Sequence, residues 1–262
     1  VAKRIMSQPF QETQIDRDIA KDGTIFRVFD PSEGINGSRT SYFHQSIGGY
    51  HAAKPAGMQD LFEYQIYKGN TEILNMLNVR YVVQQNAEGG RYAALNTNAN
   101  GNAWFIESLQ QVTTADGEIS ALDSLNTKKN AVVNTSEFTG INRFDFQVDS
   151  LASISLVDYQ PNQLRYESTN PNAGIAVFSE MHYPHGWNAY VDGKKTDHFK
   201  VNYVLRALRV PEGKHTIEFK FEPEVIKKGS TISLAGSIAL GLIVLASLGL
   251  KFWQGRNKNE GS

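Results

Sequence analysis

One stretch of the chain is set apart by the absence of polar positions. Ile232–Leu250, ISLAGSIALGLIVLASLGL, runs nineteen residues without a charge and is bounded by Lys227-Lys228 and Lys251. At 1.5 Å per residue it covers roughly 28 Å, close to the hydrocarbon thickness of a bilayer. A buried core helix ordinarily keeps one polar face. Here the polar groups are serine hydroxyls that can bond back to their own helix, so a membrane span is expected. Ser233, Ser237, Gly241 and Gly249 fall on one stripe; such a stripe is either a packing face for another helix or small residues merely tolerated in lipid.

Upstream, the periodicity changes twice. In 141–223 the chain alternates apolar and polar residues over short runs: Arg143–Val148, Ser153–Asp158, Gln163–Asn170, Ala173–Ser179, Trp187–Val191, Val204–Val210 and Lys214–Glu222. Pro161-Asn162, Pro171-Asn172, Asp192-Gly193 and Glu212-Gly213 punctuate them. Short strands at this spacing predict a small antiparallel β-sandwich. Asp192-Gly193 between WNAYV and KKTDHF is the strongest hairpin signal, and Pro223 is expected to close the last strand.

In 1–135 helical and extended spacings are mixed. Helices are predicted over Pro9–Asp22, Asp60–Lys68, Thr71–Asn78 and Gly117–Leu125. Strands are predicted over Thr24–Phe29, Val79–Gln85, Ala103–Val112 and Lys129–Asn134, and a long Gly/Ser/Asn loop over 34–49. The expected class is α+β: a mixed α/β module at 1–135, the sandwich at 141–223, one C-terminal transmembrane helix at 232–250 and a short basic tail at 251–262.

Composition narrows the function more than it defines it. A net charge of −1 over 262 residues offers no basic face for nucleic acid. Without cysteine there are no disulfides, thiolate metal sites or cysteine nucleophiles. The chain opens at Val1 with no apolar signal region, so it is expected to be a piece of something longer, its upstream membrane body missing. In the tail, Lys251, Arg256 and Lys258 stand against Glu260. With Lys227 and Lys228 on the other flank, the bias favours a tail in the cytoplasm, with Trp253 at the interface.

Chemistry is sparse. Of six histidines, His182 and His185 are three apart in MHYPHGW, with no third ligand at a spacing that forces convergence. Ser46, His51 and Asp60 lack a nucleophile elbow, and SIGGY lacks the Lys-Ser/Thr ending of a phosphate loop. No catalytic residue, metal or cofactor is expected. Aromatic and polar groups concentrate at Tyr183, Trp187, Asn188, Tyr190 and Asp192. These types stack on pyranose faces and bind hydroxyls, yet Trp187 and Tyr190 equally suit packing of a sandwich core. Asn202 and Arg206 are added as liners of a polar cleft, a structural ion pair being the alternative for Arg206. Arg206 and Arg209, three apart on a strand, are expected on opposite faces.

Three runs carry a family resemblance: SYFHQSIGGYHAAKPAGMQDLFEYQI, LNMLNVRYVV, and HYPHGWNAYVDGKKTDHFKVNYVLRALRVPEGKHTIEFKFEP. The last joins W-x-A-Y-V-D-G, N-Y-x-x-R-A and P-x-G-x-H-T-x-x-F before a terminal span. Together they resemble the YfhO-type bacterial membrane proteins, in a Bacteroidota-like branch. The resemblance implies a polytopic protein similar to GT-C glycosyltransferases, which use lipid-phosphate-linked sugars outside the inner membrane to decorate envelope polymers. It implies as partners membrane lipid, the upstream membrane body, and an envelope glycan or polyprenyl-phosphate sugar. It also places the catalytic acid in an early outer loop, outside this chain. An envelope scaffold whose sandwich binds a protein is the alternative.

Overall fold

The computed structural model describes residues 9–138 and 140–259. The part of the tail reading that rests on Glu260 lies outside the described residues.

Two sheets face each other in 103–221. Strand β4 (Ala103–Ile106) is followed after a long interval by β7 (Ser153–Gln160), β8 (Gln163–Asn170), β9 (Gly174–Met181), β10 (Trp187–Val191), β11 (Lys194–Thr196), β12 (His198–Val201), β13 (Leu205–Val210) and β14 (Gly213–Phe221). One sheet has the order β11-β10-β14-β8-β7, the other β12-β13-β9-β4. Alternation in β8 turns Leu164 and Tyr166 inward, opposite Phe219 and Ile217 of β14. The seam between the sheets is aromatic. Phe178 of β9 meets Tyr166 and Phe219 edge-on, with centroids 4.9 and 4.8 Å away, and all three rings are fully buried. Asp192 and Gly193 have φ of 51° and 77°, the left-handed pair that a two-residue type I′ hairpin needs between β10 and β11.

The four-stranded sheet is covered on its other face as well. Ile175 and Val177 of β9, Trp104 and Ile106 of β4, and Val201 and Leu205 share a core with Leu61, Phe62, Ile73 and Met76. Those last four come from α3 (Ala56–Tyr64) and α4 (Thr71–Met76), which follow α1 (Gln14–Ile19) and α2 (Arg39–Phe43). Cover on both faces explains why β4 is buried at every position and β9 at its first six.

Two smaller sheets flank this body. In one, β1 (Arg27–Phe29) lies parallel to β2 (Val79–Gln85), which pairs antiparallel with β3 (Arg91–Leu95). In the other, β5 (Ser108–Val112) and β6 (Asn130–Asn134) run parallel through α5 (Ala115–Ala121).

Several expectations are corrected. Arg143–Val148 is not a strand. Its contacts to the chain at 107–109 are two backbone bonds of 2.7 Å and one isolated bridge, too few for a ladder. The predicted strand 103–112 breaks at Glu107, sending β4 and β5 to different sheets. The loop at 34–49 contains a 3₁₀ turn at Gly34–Asn36 and α2. β4, from the segment expected to belong to a separate N-terminal module, pairs with β9.

A second compact unit comprises Pro184–Trp187 and Phe221 onward. It contains α6 (Glu224–Asn259). Glu224–Gly249 is long and apolar enough to cross a membrane, and none of that window is buried in the protein.

The seam predicts a stability result. Phe178→Ala should destabilise the full chain in micelles by about 3–5 kcal/mol, as large-to-small core changes do. Leu151→Ala, at a position 73% exposed, should shift urea denaturation by no more than about 0.5 kcal/mol. Similar small shifts for both would contradict the packed seam.

Candidate functional site

β4 and β7 each end a sheet, so each presents one line of backbone N–H and C=O groups that no described strand covers. Between them lies an open cleft of about 860 Å³. Its polar lining includes Asn100, Asn102, Lys128, Ser153, Ser155, Asp158 and Tyr159. Its wall is held by a hydrogen-bond network. The Glu72 carboxylate accepts from Thr127 N–H and Oγ1 at 2.9 and 3.0 Å; Thr127 Oγ1 accepts from Asn100 Nδ2 at 3.0 Å; and the Trp104 indole donates to Thr127 O at 2.9 Å. Lys128 Nζ donates to Asn100 O at 2.8 Å and stands 5.9 Å from the Trp104 ring centroid. Burial pushes its ammonium below the ordinary lysine value; the same cause raises the Tyr159 hydroxyl. The cleft therefore offers hydroxyls, amides, strand-edge amides, one cation and one carboxylate beside apolar surface, the complement of a polyhydroxylated ligand.

The residues singled out from sequence do not gather there. Trp187 stacks at a tilt on Phe221, centroids 5.4 Å apart. Three positions along β10, Tyr190 lies on the opposite face of the strand, with Lys220 Nζ 5.1 Å from its ring centroid. Half-buried Asn188 shares the Tyr190 face by alternation, and Tyr183 is half exposed. The Asp192 carboxylate accepts from Thr216 N at 2.9 Å and pairs with His215 Nδ1 at 2.6 Å, so it ties the hairpin turn to β14. Buried Asn202 exchanges two bonds with the Val132 backbone, 2.9 and 2.8 Å, tying the β12–β13 turn to β6. Arg206 is buried between the sheets. Its guanidinium donates to Met181 O at 3.2 and 2.9 Å and lies 4.8 Å from the Phe219 centroid, while Arg209 is exposed. His182 approaches His198 at 5.1 Å between centroids, and burial lowers it to about 4. Among the described residues no group of three His, Cys, Asp or Glu could hold a metal.

A polar knot went unforeseen. Asn202 and Tyr203 both have positive φ, 50° and 71°, a strained pair for residues other than glycine. Tyr203 N–H donates to Glu118 Oε1 at 3.0 Å and its hydroxyl to Asp60 Oδ2 at 2.8 Å. Lys200 lies 3.5 Å from Glu118 and 2.9 Å from Glu137. The knot ties the β12–β13 hairpin to α3 and α5. Its one sequence signal is the Asn-Tyr of N-Y-x-x-R-A. Burial pushes the Glu118 carboxyl above its ordinary value, against the pull of Lys200.

Residues 96–233 match the family model of the bacterial membrane protein YfhO. The match begins just before β4, takes in both facing sheets and enters α6. It covers more than half of the chain, which therefore belongs to the YfhO family. No curated protein and no solved structure matches.

The knot predicts a pH effect. A raised folded-state value means that Glu118 contributes its full stabilisation below the ordinary carboxylate range, and that contribution fades as pH rises from there through the raised value. The stability of Glu118→Gln relative to wild type should therefore increase between pH 4 and 7 in urea titrations. A decreasing difference would reverse the assigned shift.

Proposed function

We propose that this YfhO-family chain is the non-catalytic extracytoplasmic region and membrane anchor of a polytopic glycosyltransferase. The parent enzyme would use lipid-phosphate-linked sugars to modify an envelope glycopolymer. α6 fixes the region in the inner membrane, and the paired sheets position the acceptor or brace the membrane body. The observation that carries this reading is the cleft between β4 and β7. Most of it lies in the segment matching a membrane-protein family, and its amides and hydroxyls, with one lysine and one aspartate, suit the hydroxyls of a sugar chain. The GT-C resemblance puts the catalytic acid in an early outer loop upstream. This region accordingly supplies binding, orientation and anchorage rather than the carboxylate that activates an acceptor hydroxyl. Net neutrality suits a region that handles glycans close to lipid phosphates without adhering to nucleic acid.

A second reading is an envelope scaffold, with no sugar transfer. It is favoured by exposed apolar groups around the cleft, Val148 at 38%, Leu151 at 73% and Val157 at 43%, beside free strand edges that could take up an extended segment of a protein.

The two readings separate in one titration. Ser155 is exposed and lines the cleft, so Ser155→Trp should fill it while leaving the fold intact. Envelope-polymer oligosaccharides should bind the chain in vesicles, and the variant should bind at least tenfold more weakly with unchanged thermal melting. Oligosaccharide binding that ignores the variant, or no binding at all, would remove the acceptor role. With polyprenyl-phosphate sugars added, the chain alone should show no transfer above buffer. Transfer abolished by one carboxylate substitution in this chain would move the active site here.

A further inference from the structure

The loop Pro184–Trp187 and the root of α6 are built as one piece. Glu222 N–H donates to Gly186 O at 2.7 Å, and Trp187 lies against Phe221. Gly186 has φ of 124°, and a Cβ there would stand 2.8 Å from a Phe221 ring carbon and 3.1 Å from Pro223 Cβ. Glycine is therefore required for both conformation and space. The loop and the helix belong to the same compact unit, and α6 starts one residue after Pro223.

The position of the helix in a bilayer therefore fixes the position of the loop. Glu224–Gly249 holds 26 residues, about 39 Å of helix against a hydrocarbon layer of about 30 Å. The excess falls on the loop side: the eight residues from Glu224 to Thr231, about 12 Å of helix, precede the apolar run and reach the outer edge of the headgroup layer. The apolar run begins at Ile232, so the turns that precede it, carrying Lys227 and Lys228, cross the headgroups. Val225 and Ile226 are 80% and 61% exposed on the first of those turns, apolar surface that water disfavours and the interface accommodates. A tryptophan and a histidine held beside this root are residue types at home where one side is apolar and the other wet.

We propose that the Pro184–Trp187 loop is a membrane-contact element, seated in the lipid headgroup layer, that sets the depth at which α6 enters the bilayer. Its partner is the lipid surface. Trp187 then acts as an interfacial anchor rather than a sugar platform, and Gly186, which lets the loop approach this closely, keeps it against the helix root. The proposal rests on α6 spanning the membrane but not on the parent being a transferase.

The chain has no native cysteine, so single cysteines at His185, at Glu88 on a surface turn and at Leu242 within the span give unique nitroxide sites. In the full chain in phosphatidylethanolamine–phosphatidylglycerol vesicles, the His185 label should be shielded from a polar nickel chelate more than the Glu88 label. It should be shielded less than the Leu242 label. A His185 label as open to the chelate as that at Glu88, with Leu242 shielded, would overturn the loop proposal alone. An open Leu242 label would overturn the span and the loop together. As a second readout, Trp253→Phe and Trp253→Phe/Trp187→Phe chains are compared in vesicles whose lipids are brominated near the headgroup. The difference between them should show Trp187 emission quenched at least twofold; unquenched emission would place the ring in water.

Discussion

The four-stranded sheet β12-β13-β9-β4 has to be covered on both faces, and the arrangement of the folded body depends on it. β9 carries Ala176 and Phe178 toward the five-stranded sheet, and Ile175 and Val177 toward the helices. A strand apolar on both sides loses stability wherever either side meets water, at about 25 cal/mol for each Å² of apolar surface exposed. Supplying both covers requires helices from the first third of the chain on one face and, on the other, the β7–β8 and β10–β11 hairpins with β14. That requirement also draws β4 into the sheet as its edge strand. The cleft follows, because the edge strand β4 comes to lie beside β7, the edge of the opposite sheet.

The same rule, applied to α6, has a different outcome. Its apolar side chains find no cover in the protein, and the family is one of membrane proteins, so lipid supplies the cover. In water an exposed apolar helix of this length would drive aggregation; in hydrocarbon, backbone bonds closed within the helix leave no polar group unsatisfied. Polar groups in the folded body follow a complementary pattern. Asn202, Arg206 and Glu118 are tied to backbone partners that link segments far apart in sequence, as buried polar groups must be to offset desolvation.

What could be read from the sequence followed the range of the forces involved. The α6 span and the Asp192-Gly193 hairpin depend on neighbouring residues, and both were legible. β8 and β14 alternate because only one of their faces is buried, so their strands were clear. β4 was seen as extended, but its place in the sheet was not, since AWFI is apolar throughout and nothing local says which strand it joins. Arg143–Val148 misled because Phe144, Phe146 and Val148 alternate correctly while the backbone finds too few partners for a ladder. For the site, residue type put Asp192 forward for sugar binding and Asn202 and Arg206 as liners of a polar cleft; the structure engages them in ties within the fold. Their partners Thr216, Val132 and Met181 are long-range, which is why the tie of the hairpin turn to β14 and the core tethering left no local trace. The cleft and the Glu118–Tyr203 knot are products of tertiary pairing and left almost no local trace.

If α6 spans the membrane with its basic end inside, the folded body lies outside the cytoplasm, where lipid-linked sugars and envelope polymers meet. Side-specific thiol labelling in intact bacteria tests this directly. A single cysteine at the exposed Glu88 turn should react at once with a membrane-impermeant maleimide, and one at Asn257 should react only after lysis. Labelling of Asn257 in intact cells, with Glu88 protected until lysis, would place the folded body in the cytoplasm and contradict the extracytoplasmic role.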